Sequence, residues 1–322
     1  MNRAAPVLIA ALLIGAGGLA ACGDDDDGGG GGEAAAETLS VGVIPIADVA
    51  PLYLGMDKGF FKEEQLTIKP QLAEGGAAIL PAVVSGDFQI GFSNVISLLI
   101  AASKDLPVEI IAQGVLAGKS ESQAWADLLV LKDGPIKQPQ DLEGKTIAVN
   151  TLNNICEVTI KASLEKDDVA VDTLKFTEVP FPDMNAALEA GQVDAACVVE
   201  PFVSQGKVGK ARGIDPFYVR TAPDLTVATY FTSSQYAQEN PDVVDRFVRA
   251  MNKSLTYAQS HPEEVRNVLL DYTEIPPEAA EQIKLPVWRP DLNEPTIERL
   301  SELSMKYGLI EEQPDLEELI RE

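Results

Sequence analysis

The chain of 322 residues is poor in positive charge: 25 Lys and Arg stand against 50 Asp and Glu, for a net charge of −25. A surface so acidic repels phosphate backbones, which excludes nucleic acid as a partner. Histidine is nearly missing, and His261 lies between Ser260 and Pro262 at a helix junction. Three cysteines (Cys22, Cys156 and Cys197) are too few for zinc-finger spacings or a disulfide scaffold. These absences remove most His-based catalysis. The acidic runs lack the spacing of a calcium loop, so neither a metal nor a cofactor is expected. No pattern of long apolar runs marks a polytopic membrane protein. What is present is 46% apolar with mean hydropathy +0.03. At roughly 150 residues per domain that allows about two domains.

The N-terminus reads as a targeting segment. Arg3 precedes an apolar stretch from Pro6 to Ala16, and small residues lead to Leu19-Ala20-Ala21-Cys22. The stretch is short for a spanning helix and suits a signal peptide. Its ending resembles a bacterial lipoprotein box. That resemblance implies residues 1–21 as signal peptide, cleavage before Cys22, and lipidation of its sulfur on the outer face of the cell membrane. Two or more acyl chains hold a protein firmly at a membrane where one does not. Asp24 to Asp27 and Gly28 to Gly32 follow with nothing apolar to pack, so residues 22–37 read as a solvated tether.

The remaining chain repeats an organisation. Leu39–Ile44 is a strand signal, and Pro51 suits the first turn of a helix running to about Glu64. A strand over Leu66–Leu72, a helix over Ala77–Val84 ending at Gly86, and a strand over Phe88–Phe92 follow. Ser93 or Asn94 can cap the next helix, Val95–Ser103. The order returns with a strand over Lys145–Asn150 and a helix Ile155–Lys166 opened by Asn154 with Glu157 three residues on. A strand over Leu174–Val179, a helix capped by Asp183 and ended by Gly191, and a strand over Ala195–Val199 complete it. Val43 to Gly91 and Val149 to Cys197 are both 48 positions apart. Two equal β-α-β-α-β units predict two similar lobes with mainly parallel sheets. Asp127–Lys132 and Thr226–Phe231 are candidate crossings, giving a first lobe of 38–126 plus 236–322 and a second of 127–235. After Asn240-Pro241, the stripe Val243, Val244, Phe247, Val248, Met251, Leu255 is ordinary helical core. Export permits a disulfide between Cys156 and Cys197. Cys197, however, lies in a buried-strand pattern, and two buried free thiols are the expectation.

Gly42-Val43-Ile44-Pro45, Ala50-Pro51-Leu52-Tyr53-Leu54-Gly55 and Lys58-Gly59-Phe60-Phe61 resemble the start of the nitrate/sulfonate/taurine and thiamine-precursor binding (NMT1/THI5-like) family. Ser85 to Gly91, Leu142 to Val149, Ala190 to Ala195 and Glu200-Pro201-Phe202 are similar to its later motifs, in the right order, over nearly all of residues 38–260. The resemblance implies an α/β chain of the two-lobed periplasmic-binding-protein-like fold (type II), with helices on both sheet faces and a ligand cleft between the lobes. It implies a solute-binding lipoprotein that delivers a small organic nutrient to an ABC permease with its ATPase.

Ligands of open parallel sheets bind beyond the carboxyl ends of the strands. The residues that follow those ends are Asp48, Tyr53, Ser93 and Asn94 from the first lobe, with Gln113 after a further strand (Val108–Ala112). From the second they are Asn150, Thr151, Asn153, Asn154, Glu200 and Phe202. Tyr230 lies on the second crossing. Trp125, near the first, reads as hinge packing. Ser93, Asn94, Asn154 and Asp48 also suit helix caps, and Tyr53 and Phe202 suit core. Glu200, a carboxylate at a strand end, is awkward to bury unpaired and is the leading candidate to accept from a ligand amine or amide. The loops 44–55, 74–80, 91–98 and 150–157 carry no Lys or Arg. A neutral or zwitterionic organic ligand is therefore expected over nitrate. The rivals are a ligand-sensing adaptor for a membrane receptor and an enzyme on the same fold. Pyrimidine synthases resembling this family use a Cys-rich motif and His, which are missing here. Nothing reads as a coiled coil or a long exposed apolar edge, so a monomer is expected. Replacing the lipid-bearing sulfur tests the anchor: Cys22→Ser should move the protein out of the membrane fraction, and a variant that still sediments with membranes refutes lipidation.

Overall fold

Ten short runs, most of them rich in apolar residues, form strands in a computed structural model, which describes residues 36–275 and 277–321. They are β1 (Glu37–Val43), β2 (Leu66–Leu72), β3 (Ile90–Asn94), β4 (Val108–Leu116), β5 (Ala126–Leu131), β6 (Thr146–Val149), β7 (Lys175–Glu178), β8 (Ala195–Val199), β9 (Ala211–Asp215) and β10 (Thr226–Ser233). Cys22, the signal segment and the tether through residue 35 lie outside the described residues, whereas Glu37, expected in the tether, begins β1.

The strands build two sheets of the same order, β2-β1-β3-β10-β4 and β7-β6-β8-β5-β9. In each, the first three run parallel, as the repeated β-α-β-α-β pattern predicts. The fourth runs antiparallel and is contributed from across the molecule: β10 in the first sheet, β5 in the second. Thr226–Ser233 is thus a strand of the first sheet, between β3 and β4. A second lobe reaching residue 235 puts these residues on the wrong side, since their apolar run is buried by first-sheet neighbours along its whole length. The crossings precede β5 and β10 and bond to each other, Ala117 N–H to Leu225 C=O at 2.8 Å and Asp224 N–H to Gly118 C=O at 3.2 Å. Trp125 is buried beside them. Its Nε1–H donates to Leu116 C=O at 3.0 Å, and its ring lies 5.4 Å from that of Tyr218.

Helices cover both faces of both sheets. The long helix Pro241–Ser260 turns Val243, Val244, Phe247, Met251 and Leu255 into the core, while Val248 is half-buried. The helix expected over Pro51–Glu64 is two pieces, Ala50–Asp57 and Phe60–Glu63. Gly59, at φ 79°, turns the chain between them. Asp183 sits in the first turn of the helix Phe181–Glu189, whose N-cap is Pro180, and so is not the cap. The edge strand β4 is covered by the chain's end, where Ile320 bridges to Ile110.

Cys156 and Cys197 are bonded, contrary to the expectation of free thiols. Cys156 opens the helix Ile155–Leu164, which packs on the sheet over Cys197 of β8. The two Cα atoms are 6.2 Å apart, within disulfide reach. Apolar surroundings made Cys197 look like core, which it also is. The bridge spans a separation of 41 residues, worth about 4 kcal/mol if it acts by restricting the unfolded chain. The double variant Cys156→Ala, Cys197→Ala should melt roughly 10 °C lower. Equal melting of variant and parent, or two free thiols by mass in the unreduced parent, would contradict the bridge.

Candidate functional site

The segments that follow β1 and β2 meet those that follow β6 and β8 at a seam between the sheets. Ala47 N–H donates to Glu200 C=O at 2.9 Å, and Asn150 Nδ2 donates to Glu74 C=O at 3.1 Å. The approach is close because Gly75 caps the helix start there. A Cβ on Gly75 would lie 2.7 Å from Thr151 Cγ2 and 2.8 Å from Asn150 Nδ2; within the first lobe, one on Gly76 would lie 2.1 Å from Ser93 Oγ. At one side of the seam Ile44–Ile46 and Leu72–Glu74 face Pro180–Asp183 across a groove of about 310 Å³.

Several expected residues spend their hydrogen bonds on local structure. Asn94 caps the helix Val95–Ala102 through Ser97 N–H at 3.0 Å. Asn154 caps Ile155–Leu164 through Cys156 N–H at 2.9 Å, and its amide donates to Asn150 Oδ1 at 2.8 Å and Thr151 Oγ1 at 3.3 Å. Glu157 reaches back to Asn153 N–H at 2.6 Å, one residue before the cap. Asn153 itself is exposed, at φ 52°. Phe202 stacks on Phe181 within the second lobe, centroids 6.5 Å apart.

Glu200 is not free to receive a ligand donor. Its Oε1 accepts from Ser204 Oγ at 2.8 Å and Lys284 N–H at 3.2 Å, and its Oε2 accepts from Ser204 N–H at 3.0 Å. Burial pushes its pKa up, and these bonds oppose the push. Lys284 belongs to a segment tied to the helix Pro262–Tyr272, whose Arg266 donates to Ala280 C=O at 3.0 Å and Ile283 C=O at 2.7 Å. Glu200 is therefore a fastener across the seam. A carboxylate at this strand end does need partners, and the protein itself supplies them.

Two groups of seam residues retain unused hydrogen-bonding capacity. Ser93, Thr229 and Gln113 stand in register across β3, β10 and β4. Both polar atoms of the Gln113 amide and Thr229 Oγ1 are buried without a partner. The second group centres on Asp48, in the 3-10 turn after β1. Its carboxylate is 3% exposed, and Oδ1 has no partner. Tyr53 stacks on Tyr272 with centroids 3.9 Å apart and planes within 4°. Tyr272 OH donates to Ile46 C=O at 2.9 Å, and Trp288 Nε1–H to Asp48 C=O at 3.1 Å. The Tyr230 hydroxyl is buried and unpartnered. Burial first, and nearby negative charge including Asp48, hold the Tyr218, Tyr230 and Tyr272 hydroxyls well above the usual phenol range. Burial likewise raises the Asp48 carboxyl from 3.8 to about 8. Tyr218, Thr229 and Tyr272 were not among the expected residues. Thr229 was findable as the residue next to Tyr230, whereas no motif marks Tyr218 or Tyr272.

Among the described residues no group of His, Cys, Asp and Glu could hold a metal, and no helix is long and apolar enough to cross a membrane.

The family model described as NMT1/THI5 like matches residues 46–265. A taurine-binding periplasmic protein of Escherichia coli (strain K12) is 30% identical over 195 residues, covering 60% of this chain and 58% of that protein. A formylaminopyrimidine-binding protein of Halalkalibacterium halodurans is 25% identical over 224 residues, 68% of this chain and 65% of that protein. The chain thus spans less than two thirds of either relative's length. A 4-amino-5-hydroxymethyl-2-methylpyrimidine phosphate synthase of Aspergillus parasiticus is 24% identical over 230 residues, 66% of this chain and 64% of that enzyme. Among solved structures, the alkanesulfonate-binding protein SsuA of Xanthomonas axonopodis pv. citri bound to MOPS superposes with a TM-score of 0.76 at 18% identity. It covers 90% of this chain and 100% of that one, a likeness of fold.

The Asp48 environment makes stability depend on pH. An acid whose folded pKa is about 8, against 3.8 when unfolded, binds more protons folded than unfolded between those values. Stability therefore falls as pH rises through that interval and levels off above it. Asp48→Asn should remove most of the fall, on the order of a few kcal/mol. Chemical denaturation of both proteins at pH 5 and pH 9 checks it; an equal change in the two would refute the assignment.

Proposed function

We propose, from the premise that this chain belongs to the NMT1/THI5-like family, that it is an extracytoplasmic solute-binding protein. It captures a small organic molecule between its two lobes and delivers it to the permease of an ABC importer. The observation that carries this reading is the seam between two lobes joined by a paired crossing, beside which the first lobe buries polar atoms of Asp48, Gln113, Thr229 and Tyr230 that no protein group satisfies. A solute that touches both lobes supplies those partners only when the lobes are together, so its differential affinity shifts the hinge toward closure. The closed pair of surfaces is then the signal a membrane partner reads. Family relatives named for binding taurine and formylaminopyrimidine support a nutrient of this size. The lipid on Cys22 keeps the protein at the membrane while the acidic tether lets it reach the permease.

An enzymatic role on the same fold has less support. Cys156 and Cys197 are consumed in a bridge, and His261, stacked 3.7 Å from Tyr257, lies on a helix junction away from the seam. A thermal-shift screen against alkanesulfonates, taurine, aminopyrimidines, amino acids and nitrate tests the reading. A solute at a hundred times its Kd should add about 2.7 kcal/mol, a rise of several degrees, and should compact the protein in small-angle scattering. Turnover of a bound candidate to product would replace this reading with the enzymatic one.

A further inference from the structure

The groove at the side of the seam takes one wall from each lobe. Ile44, Ile46 and Leu72 stand on the first, and Pro180, Phe181 and Pro182 on the second. Leu72 is 63% exposed, so its apolar surface is open to cover by a ligand. What the lining lacks is a donor. It contains no Lys, Arg, His, Asn, Gln, Ser, Thr, Tyr or Trp, and Pro45, Pro180 and Pro182 have no backbone N–H either. The helix that starts at Phe181 adds little. Asp183 N–H is spent on Pro180 C=O at 2.9 Å, and the Asp183 carboxylate stands in the first turn, where it offsets the positive end of the helix. The charged side chains of the lining are Glu74 and Asp183, one from each lobe. Both are exposed, and neither enters an ion pair among the described residues. An oxyanion in this groove would give up water, gain no side-chain donor and share the lining with two carboxylates.

We propose that this groove seats the body of the solute, that the body is an uncharged alicyclic or aromatic ring, and that oxyanions are turned away. The proposal rests on the solute-binding reading above and narrows it by chemistry. It sets this chain apart from the similar proteins named for taurine and alkanesulfonate, whose ligands carry a sulfonate. A volume of about 310 Å³ lies at the small end of ligand pockets. It holds on the order of ten waters' worth of solute. That is too little for a helix of a partner protein, which is about 10 Å across. Proline walls suit a rigid guest, because a pyrrolidine ring loses no rotamer freedom when it is covered. The two walls belong to different lobes, so a ring covered on both sides is held only while the lobes are together. Burial of its apolar surface then drives closure.

Ring pairs that differ in charge test this by isothermal titration of the full chain. One pair is camphor against camphor-10-sulfonate, and the other is 4-methylphenol against 4-methylbenzenesulfonate. The uncharged member of at least one pair should bind tenfold or more tightly than its sulfonate, and should compact the protein in small-angle scattering. Leu72→Asp and Pro182→Asp change one exposed residue on each wall. Each should weaken ring binding tenfold or more while the unliganded melt stays near the parent's. Should one variant fail to fold, the other decides. Binding by neither uncharged ring overturns the proposal, as do sulfonates that bind as tightly as their partners in both pairs. Ring binding that the folded variants leave unchanged also overturns it, because the ring then sits elsewhere. Closure by taurine or an alkanesulfonate without ring binding overturns the proposal and leaves the solute-binding reading intact. No closure by any solute in the wider screen removes both.

Discussion

Glu200 is the residue through which both halves of the molecule hold each other. Its carbonyl accepts from Ala47 on one lobe, and its carboxylate accepts from Ser204 on its own helix and from the Lys284 amide in the C-terminal segment. A buried charge is tolerated only where several donors converge, and here the donors come from both sides of the seam. Asp48 stands one residue past Ala47, and Tyr272 of the Tyr53–Tyr272 pair donates to the carbonyl of Ile46, one residue before it. Separation of the lobes would strip the carboxylate of a donor at the moment it exposed it to water, which keeps the exchange between states inexpensive.

The shared order of the two sheets explains why one site forms between them. Each sheet takes its antiparallel fourth strand immediately after a crossing, so both crossings sit beside each other and pair through Ala117 and Asp224. The hinge is thus two short segments with few degrees of freedom. The bridge from Cys156 to Cys197 ties the helix that opens at Asn154 to the central strand that ends before Glu200. The second lobe's contribution to the seam therefore moves as one piece.

Much of this was legible in the residues. Alternation of apolar runs with helical stripes placed β2 and β8 to the residue, and the equal spacing of the two units foretold the matching sheets. Asn94 and Asn154 were readable as caps because a side-chain amide before an apolar run has a local use. What was not legible depends on partners distant in the chain. The disulfide needed the packing of a helix on β8. The saturation of Glu200 needed Lys284, and the surroundings of Asp48 needed Tyr272, more than two hundred residues onward. Placing β10 in the second lobe failed for the same reason, since an apolar run states that it is buried but not by which sheet.

One contact between the lobes runs through a residue with no side chain. Gly75 lets the helix start touch Thr151 and Asn150 of the second lobe at distances a single methyl group would forbid. It therefore acts as a gauge block, setting how narrow the jaws can become. A solute too large for that gap would leave the lobes propped, and the membrane partner would meet a loaded protein that still has the outline of an empty one. Size selection on this protein thus operates at delivery as well as at capture, through atoms that the sequence leaves out.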